Sequence, residues 1–307
     1  MVFDNLEDIA KLTLKEKIEL LNPNNSFEIK TTLHRSNMML NPLNLKHLNR
    51  LDSLKADAVT LNLEDAIAPS KKQEALINIA LFLSHIKETK SEIIIRINPL
   101  TLGGIEEIKF LKDFNFNAVR LSKVKNRFEI EQVLDILPEP KEVHISLETK
   151  EAFSSLHTWG NISRFTRANI GILDLLASLN LPQSLLKIGN PTIAYILSKF
   201  LIDSKTIDIE ATSFMFQDYA NTKLFREFCL WESELGFTSK ACMGPAQVKI
   251  ANEIFKPSKD EINRAFEIKK LFEASSKNGI TGFMHDKYGF IDEPIYKDAL
   301  NLLSNLK

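Results

Sequence analysis

Apolar runs and segments with helical spacing alternate along most of this chain. After an amphipathic opening, "MVFDNLEDIAKLTLKEKIELL", and a polar break at "NPNNS", the run "TTLHRSNMML" reads as a strand and "NLKHLNRLDSL" as a helix. The pattern repeats as "ADAVTLNLE" with "SKKQEALINIALFLSHI", "EIIIRIN" with "GGIEEIKFLKDF", and "AVRLSKV" with "RFEIEQVLDIL". It continues as "EVHISLE" with "TKEAFSSLHTW", and "ANIGILD" with the helix inside "SLLKIGNPTIAYILSKFLI". "TIDIEATSF" with "NTKLFREFCLWESELG" and "KACMG" with "PAQVKIANEIF" complete the series. Short buried strands, each followed by a helix, are the signature of parallel βαβ units. Eight of them favour a closed (β/α)₈ barrel over an open doubly wound sheet. The expected organisation is an N-terminal helical extension over 1–30, the barrel over 31–256, and a C-terminal helical extension over 257–307. The last segment is read as a long helix, a turn at "KNG" and a final helix from Pro294, placed to cap the barrel or reach a neighbouring subunit.

Composition removes several alternatives. The 39 Lys and Arg balance 40 Asp and Glu, so no overall charge draws the chain to nucleic acid or to an anionic membrane. No apolar stretch is long enough to span a bilayer, and the acidic opening does not read as a signal peptide. Cys229 and Cys242 are too few for a disulfide framework and form no CxxC pair, which fits reduced thiols in a cytoplasmic protein. GxGxxG, GxxxxGK[ST] and GxSxG are all missing, and the six histidines show neither HxH nor HExxH spacing. Nucleotide-fold and zinc chemistries are therefore disfavoured.

The strand exits carry the chemistry. In a barrel, catalytic groups sit at the C-terminal ends of the strands, where the βα loops gather. Read this way, strand one ends on Arg35, strand two on Glu64 and Asp65, and strand three on Arg96. Strand four ends on Lys123, strand five on Glu148 and strand six on Asp174. A single acid there can simply favour the next helix N-terminus; six charged exits in succession describe a rim. Glu148 and Asp174, from adjacent strands, suit a hard cation such as Mg²⁺, which takes one or two carboxylates and keeps waters or substrate oxygens. Arg96 can grip a carboxylate through its planar fork. Such a pair facing a 2-oxo acid would stabilise an enolate. His144 reads as a packed strand histidine, and "LGG" at 102–104 as a loop.

"HRSNMML", "ADAVTLNLEDAIAPSKK", "IIIRIN", "VRLSKV", "ISLET", "GILDL" and "GFIDEP" occur in an order that resembles the citrate lyase β-subunit-like proteins of the HpcH/HpaI aldolase group. The resemblance implies a TIM barrel of the phosphoenolpyruvate/pyruvate type and a homo-oligomer, often a trimer. It also implies Mg²⁺-dependent cleavage or formation of a C–C bond in citryl, malyl or citramalyl thioesters carried by CoA or an acyl carrier protein. By position, Glu148 and Asp174 would hold the metal, Arg96 would bind the oxo-acid carboxylate, and Arg35 and Lys123 would line the site. Glu64 and Asp65 would order the metal's waters. Asp292 would act as acid or base, carried into a neighbouring subunit. Departures from the family pattern are Asn62 for an acid, Ser122 for proline, and Ser239 and Gly244 for glycine and histidine of the late signature. These loop changes leave open a free-acid 4-hydroxy-2-oxo-acid aldolase, or a barrel kept for binding without turnover.

Overall fold

A computed structural model of the chain describes residues 2–29 and 33–304. Thr31 and Thr32, which open the first strand as read from the sequence, lie outside the described residues. The chain divides into two compact units, Met1–Phe255 and Lys256–Lys307.

The first unit is the barrel. Its strands are β1 Ser36–Leu40, β2 Ala58–Asn62, β3 Glu92–Ile97, β4 Ala118–Leu121, β5 Glu142–Leu147, β6 Phe165–Ile170, β7 Glu210–Thr212 and β8 Lys240–Cys242. All neighbouring pairs are parallel, and β8 pairs with β1, Lys240 opposite Ser36. The remaining seam, between β7 and β8, is closed by a parallel bridge from Ser213 to Lys240. Ser213 N donates to Ser239 O at 2.9 Å, and Ala241 N donates to Ser213 O at 3.0 Å. Each strand is followed by a helix: α1 Leu45–Asn49, α2 Lys72–His85, α3 Gly104–Leu111, α4 Arg127–Leu134, α5 Lys150–Ser155, α6 Pro191–Thr206, α7 Thr222–Glu234 and α8 Pro245–Ile254. A further short helix, Ile172–Ser178, stands between β6 and α6.

Alternation along the strands splits the core in two. Val59, Leu61, Ile93, Ile95, Val119, Val143, Ile145 and Leu147 belong to the large cluster shared with the helices. Burying each aliphatic side chain stabilises the fold by about 1.5–3 kcal/mol. The intervening positions point the other way, as period-2 geometry requires. Their apolar part is small, a separate cluster of Ala58, Ile94 and Ala118. The rest of that face is polar and buried: Asn37, Thr60, Arg96, Arg120, His144, Arg167 and Asn169. A polar barrel interior is costly unless its groups are paired, so where these groups find partners is informative about function.

The opening segment is two short helices, Leu6–Lys11 and Leu14–Glu19, rather than one. Thr13 caps the second with a reciprocal capping box to Glu16. The segment packs on the barrel. Lys17 Nζ donates to Asn78 of α2 at 2.9 Å, and Asn49 Oδ1 accepts from the amides of Val2 and Phe3 at 2.7 Å.

The second unit contains α9 Lys259–Ser276, a hairpin of β9 Gly282–His285 and β10 Gly289–Asp292, and α10 Glu293–Ser304. Its own core joins Ala265, Ile268, Phe272, Ile291 and Ala299. The turn expected at "KNG" is present at 277–279, and between it and α10 stands a hairpin outside that expectation: "TGFMHDKYGFID" pairs Phe283 with Ile291 across a tight loop.

Candidate active site

The exits of β2 to β6 converge on a pocket of about 270 Å³ lined by Asp65, Arg96, Arg120, Ser146, Glu148, Asn169, Gly171 and Asp174, with Met39, Met215 and Met243 among its apolar walls. Arg96 is its hub. Nη2 lies 3.0 Å from Glu64 Oε2 and 2.8 Å from Glu148 Oε1. Lys123 Nζ reaches Glu64 Oε1 at 3.0 Å and Asp65 Oδ2 at 3.4 Å, and its backbone N–H donates to Glu148 Oε2 at 3.0 Å.

Local sequence explains how these groups are held. Asn62, the last residue of β2, accepts from Glu64 N at 3.3 Å and donates to the Asp65 carbonyl, so it pins the acidic turn. Ala66 follows at φ 71° and Lys123 sits at φ 53°, left-handed conformations that a non-glycine residue holds only under surrounding constraint. Lys72, at the start of α2, supplies part of that constraint by donating to Leu63 O, Glu64 O and Asn98 Oδ1 at 2.6, 2.7 and 2.8 Å. Ser122 Oγ ties the β4 exit to Ile97 O at 2.8 Å. At the β5 exit, Glu148 points into the pocket while Thr149 caps α5 through Ala152 N.

Electrostatics mark Glu148. It is 5% exposed. Burial pushes its pKa up to about 7; Arg96 opposes the rise, and the charges of Glu64 and Asp174 add to it. Gly171 makes this crowding possible: a Cβ there would lie 2.4 Å from Glu148 Cγ and 2.8 Å from Oε1. Burial works against Asp65 ionising, but the hydrogen bond with Glu64 and the charge of Lys123 hold its pKa below the usual carboxylate range. Two crowded oxygen acids, one buried against glycine backbone, are the donor set that a hard divalent cation prefers.

The remaining expected site residues fall as follows. Asp174 lies in the first turn of the Ile172–Ser178 helix, beyond the end of β6, and lines the pocket. Arg35 does not line the site. It precedes β1, so it stands at the opposite end of the barrel. There it grips Asp57 with Nε and Nη2, both at 2.8 Å, and donates to Asn252 O at 3.3 Å. The apolar run continues through Arg35, although the strand itself starts at Ser36, so a strand entry resembles an exit. Asp292 closes β10 in the second unit, and its Oδ1 accepts from Ile295 N at 3.2 Å. Gly244 is the N-cap of α8 with open space where a Cβ would stand, and Gln247 Oε1 holds the preceding Met243 N at 2.7 Å. Sequence reasoning missed Arg120, Ser146 and Asn169, which lie within strands rather than at their exits. The signal for them was polarity at alternate positions of otherwise apolar runs.

A second charged network occupies the strand entries. Arg167 bridges Glu92 and Glu210, each at 2.7 Å; His34 Nδ1 is 3.3 Å from Glu92 and His144 Nε2 is 3.4 Å from Glu142. Glu92, Glu142 and His144 each bring a ligand atom within 4.8 Å of the others. Arg167 already pairs with Glu92, and Glu142 is held by His144 and Thr166.

A family model described as HpcH/HpaI aldolase/citrate lyase matches residues 35–245. The chain belongs to this family. It is thereby a member of a carbon–carbon lyase family, and the match covers both the acidic turn of β2 and the β5 and β6 exits. Mitochondrial citramalyl-CoA lyase of Rattus norvegicus is 24% identical over 287 residues, covering 84% of this chain and 82% of the relative. A citrate lyase structure from Burkholderia xenovorans aligns with a TM-score of 0.75 at 14% identity, covering 92% of this chain and 94% of that one. CitE of Mycobacterium tuberculosis, solved in complex with magnesium, acetoacetate and coenzyme A, aligns at 0.70 with 17% identity, covering 88% and 97%. These structural likenesses agree with the (β/α)₈ barrel. No described helix is long and apolar enough to cross a membrane.

Proposed function

We propose that the chain is a Mg²⁺-dependent lyase that cleaves or forms a small hydroxy-acyl thioester, with a 2-oxo acid as the fragment held in the barrel. The observation that carries this reading is the buried Glu148 crowded by Asp174 and Glu64 beside Arg96. The rat relative is named for citramalyl-CoA and the mycobacterial structure holds magnesium with coenzyme A, which supports a thioester over a free acid. Glu148 and Asp174 would hold the metal, which supplies Lewis-acid stabilisation of negative charge on the substrate oxygens. Arg96 would orient the oxo-acid carboxylate, steadied by Glu64. Lys123 and Asp65, paired with each other, would keep the mouth of the pocket ordered. The methionine walls offer an adaptable apolar surface for the acyl part.

In the cleavage direction the substrate hydroxyl would give its proton to Asp292 as the C–C bond breaks. The electron pair passes to the thioester α-carbon, which then takes a proton. We assign both proton transfers to Asp292, which would take the hydroxyl proton and return it to the carbon, delivered from a second copy in a homo-oligomer of trimeric type. The carrier would be CoA or an acyl carrier protein. Buried, unpaired Cys229 and Cys242 fit a reducing compartment such as the cytoplasm. The test is calorimetric titration of the purified protein with oxaloacetate, pyruvate and glyoxylate, with and without Mg²⁺, followed by a screen of CoA thioesters for release of a 2-oxo acid. Metal-dependent binding that disappears in Glu148→Gln and Arg96→Ala is the expected result. Absence of binding under every metal condition would overturn the reading.

A further inference from the structure

Three guanidiniums enter the barrel interior, and they are treated unequally. Arg96 is paired by Glu64 and Glu148, and Arg167 by Glu92 and Glu210. Arg120 stands between them, opposite Arg96 on β3 and His144 on β5. It is 3% exposed, and among the described residues its side chain forms neither an ion pair nor a protein hydrogen bond. Its Nε is buried and unpartnered. Asn169 repeats the anomaly on β6: it is 5% exposed, and both its amide oxygen and its amide nitrogen are buried without a partner. Ser146, directly opposite Asn169 across β5 and β6, is buried as well. All three line the same pocket as Glu148 and Arg96. Ser146 lies two residues before Glu148 along its strand, about 6.6 Å deeper at strand rise.

A buried guanidinium without an ion pair is among the most costly groups a protein can hold; the charges of Arg96 and Arg167 raise that cost, and those of Glu148 and Glu64 offset part of it. Nothing in the packing requires it, since an unbranched apolar side chain would fill the same length. An anion arriving from the pocket would remove the cost at once, taking a planar fork from Arg120 and donors from Asn169 and Ser146.

We propose that Arg120, Asn169 and Ser146 form an anion subsite on the floor of the pocket that receives a second carboxylate of the oxo-acid fragment. The fragment is then a dicarboxylate. Its first carboxylate and oxo group lie at the Arg96 and Glu148 level, and its distal carboxylate reaches down to Arg120. This assignment rests on the oxo-acid reading of the site and narrows it to dianionic fragments. Arg120 becomes the residue that discriminates oxaloacetate-like acids from pyruvate and glyoxylate.

The experiment is calorimetric titration with oxaloacetate and with pyruvate, both in saturating Mg²⁺, on the wild type, Arg120→Met and Arg120→Lys. The wild type should bind oxaloacetate at least tenfold more tightly than pyruvate. Arg120→Met should weaken oxaloacetate by about 10- to 100-fold and pyruvate by less than threefold, without lowering the melting temperature. Arg120→Lys, which keeps the charge but not the fork, should fall between. Equal affinity of the wild type for the two acids, or equal weakening of both in Arg120→Met, would overturn the subsite while leaving the oxo-acid site intact. Failure of both acids to bind the wild type would overturn the subsite and the oxo-acid reading together.

Discussion

The two ends of the barrel hold similar inventories of buried acid and arginine, yet they are wired in opposite ways. At the strand entries, Arg167 answers Glu92 and Glu210 with short contacts, and His34 adds to the pairing. Burial alone would raise the pKa of Glu92; Arg167 and then His34 hold it far below the ordinary carboxylate range. At the strand exits, Arg96 must serve two acids, and Asp174 adds a third near Glu148, whose pKa burial pushes up to about 7. At the entries each acid has a side-chain partner: Arg167 for Glu92 and Glu210, and His144 and Thr166 for Glu142. The exits crowd carboxylates close to Glu148 and, a step below, leave the Arg120 guanidinium without an ion pair among the described residues. A network whose acids are each partnered by the protein stabilises the fold; one with a carboxylate crowded by its neighbours and a guanidinium left without an ion pair is arranged for something that arrives from outside.

The contrast is sharpened most by removing the cation at the entries. Arg167→Met leaves Glu92 buried without its partner and should cost roughly 3–5 kcal/mol of stability, read by urea unfolding, with Mg²⁺ affinity of the folded protein unchanged. The reverse holds at the exits. Glu148→Gln should reduce turnover by roughly 10²- to 10³-fold, measured as release of oxo acid from a CoA thioester, with no loss of stability.

The pH dependence separates the ends again. Glu148, whose folded pKa of about 7 exceeds its usual 4.5, favours the metal-free fold below about pH 4.5. That contribution, roughly 3 kcal/mol at 1.36 kcal/mol per unit, is lost as pH rises through 7. Glu92 has a depressed pKa, so its contribution is present above about pH 4.5 and is lost as pH falls below it. The stability of the metal-free protein should therefore decline between pH 5 and 7.5, and Glu148→Gln should flatten that decline without touching the acid limb. Proton competition at Glu148 should also weaken Mg²⁺ binding by up to tenfold per unit below pH 7.

Gly171→Ala tests the crowding itself. Its Cβ would displace the Glu148 carboxylate, and Mg²⁺ affinity should fall roughly 10- to 100-fold in a calorimetric titration. The smallest effect is expected at the acidic turn. Asn62→Asp removes the donor to the Asp65 carbonyl and should cost about 1 kcal/mol of stability, read as a lower urea midpoint.

Much of this was legible in the chain. Strand exits could be found because an apolar run stops at a charge, which is how Glu64, Asp65, Arg96, Lys123 and Glu148 were read. Arg35 misled because "TTLHRSNMML" contains no internal marker of where pairing begins. The strand starts at Ser36, and only the Asp57 partner reveals Arg35 as an entry residue. Likewise "TIDIEATSF" looks extended throughout, yet Thr206 ends α6 and the strand begins at Glu210. Arg120, Ser146 and Asn169 were hidden by length. In strands of four to six residues, a polar alternate position is one observation per strand, and only closure of the barrel brings the three together. The second unit's hairpin was missed because each strand has four residues and only Ile291 among them is buried, which leaves no apolar run to read.

The central claim is that the exits, not the entries, take the metal. Calorimetric titration of Mg²⁺ into the wild type, Glu148→Gln and Glu92→Gln tests it most directly. The account expects binding in the wild type and in folded Glu92→Gln, and none in Glu148→Gln. Undiminished binding in Glu148→Gln with loss in Glu92→Gln would move the metal to the group of Glu92, Glu142 and His144 and contradict the account.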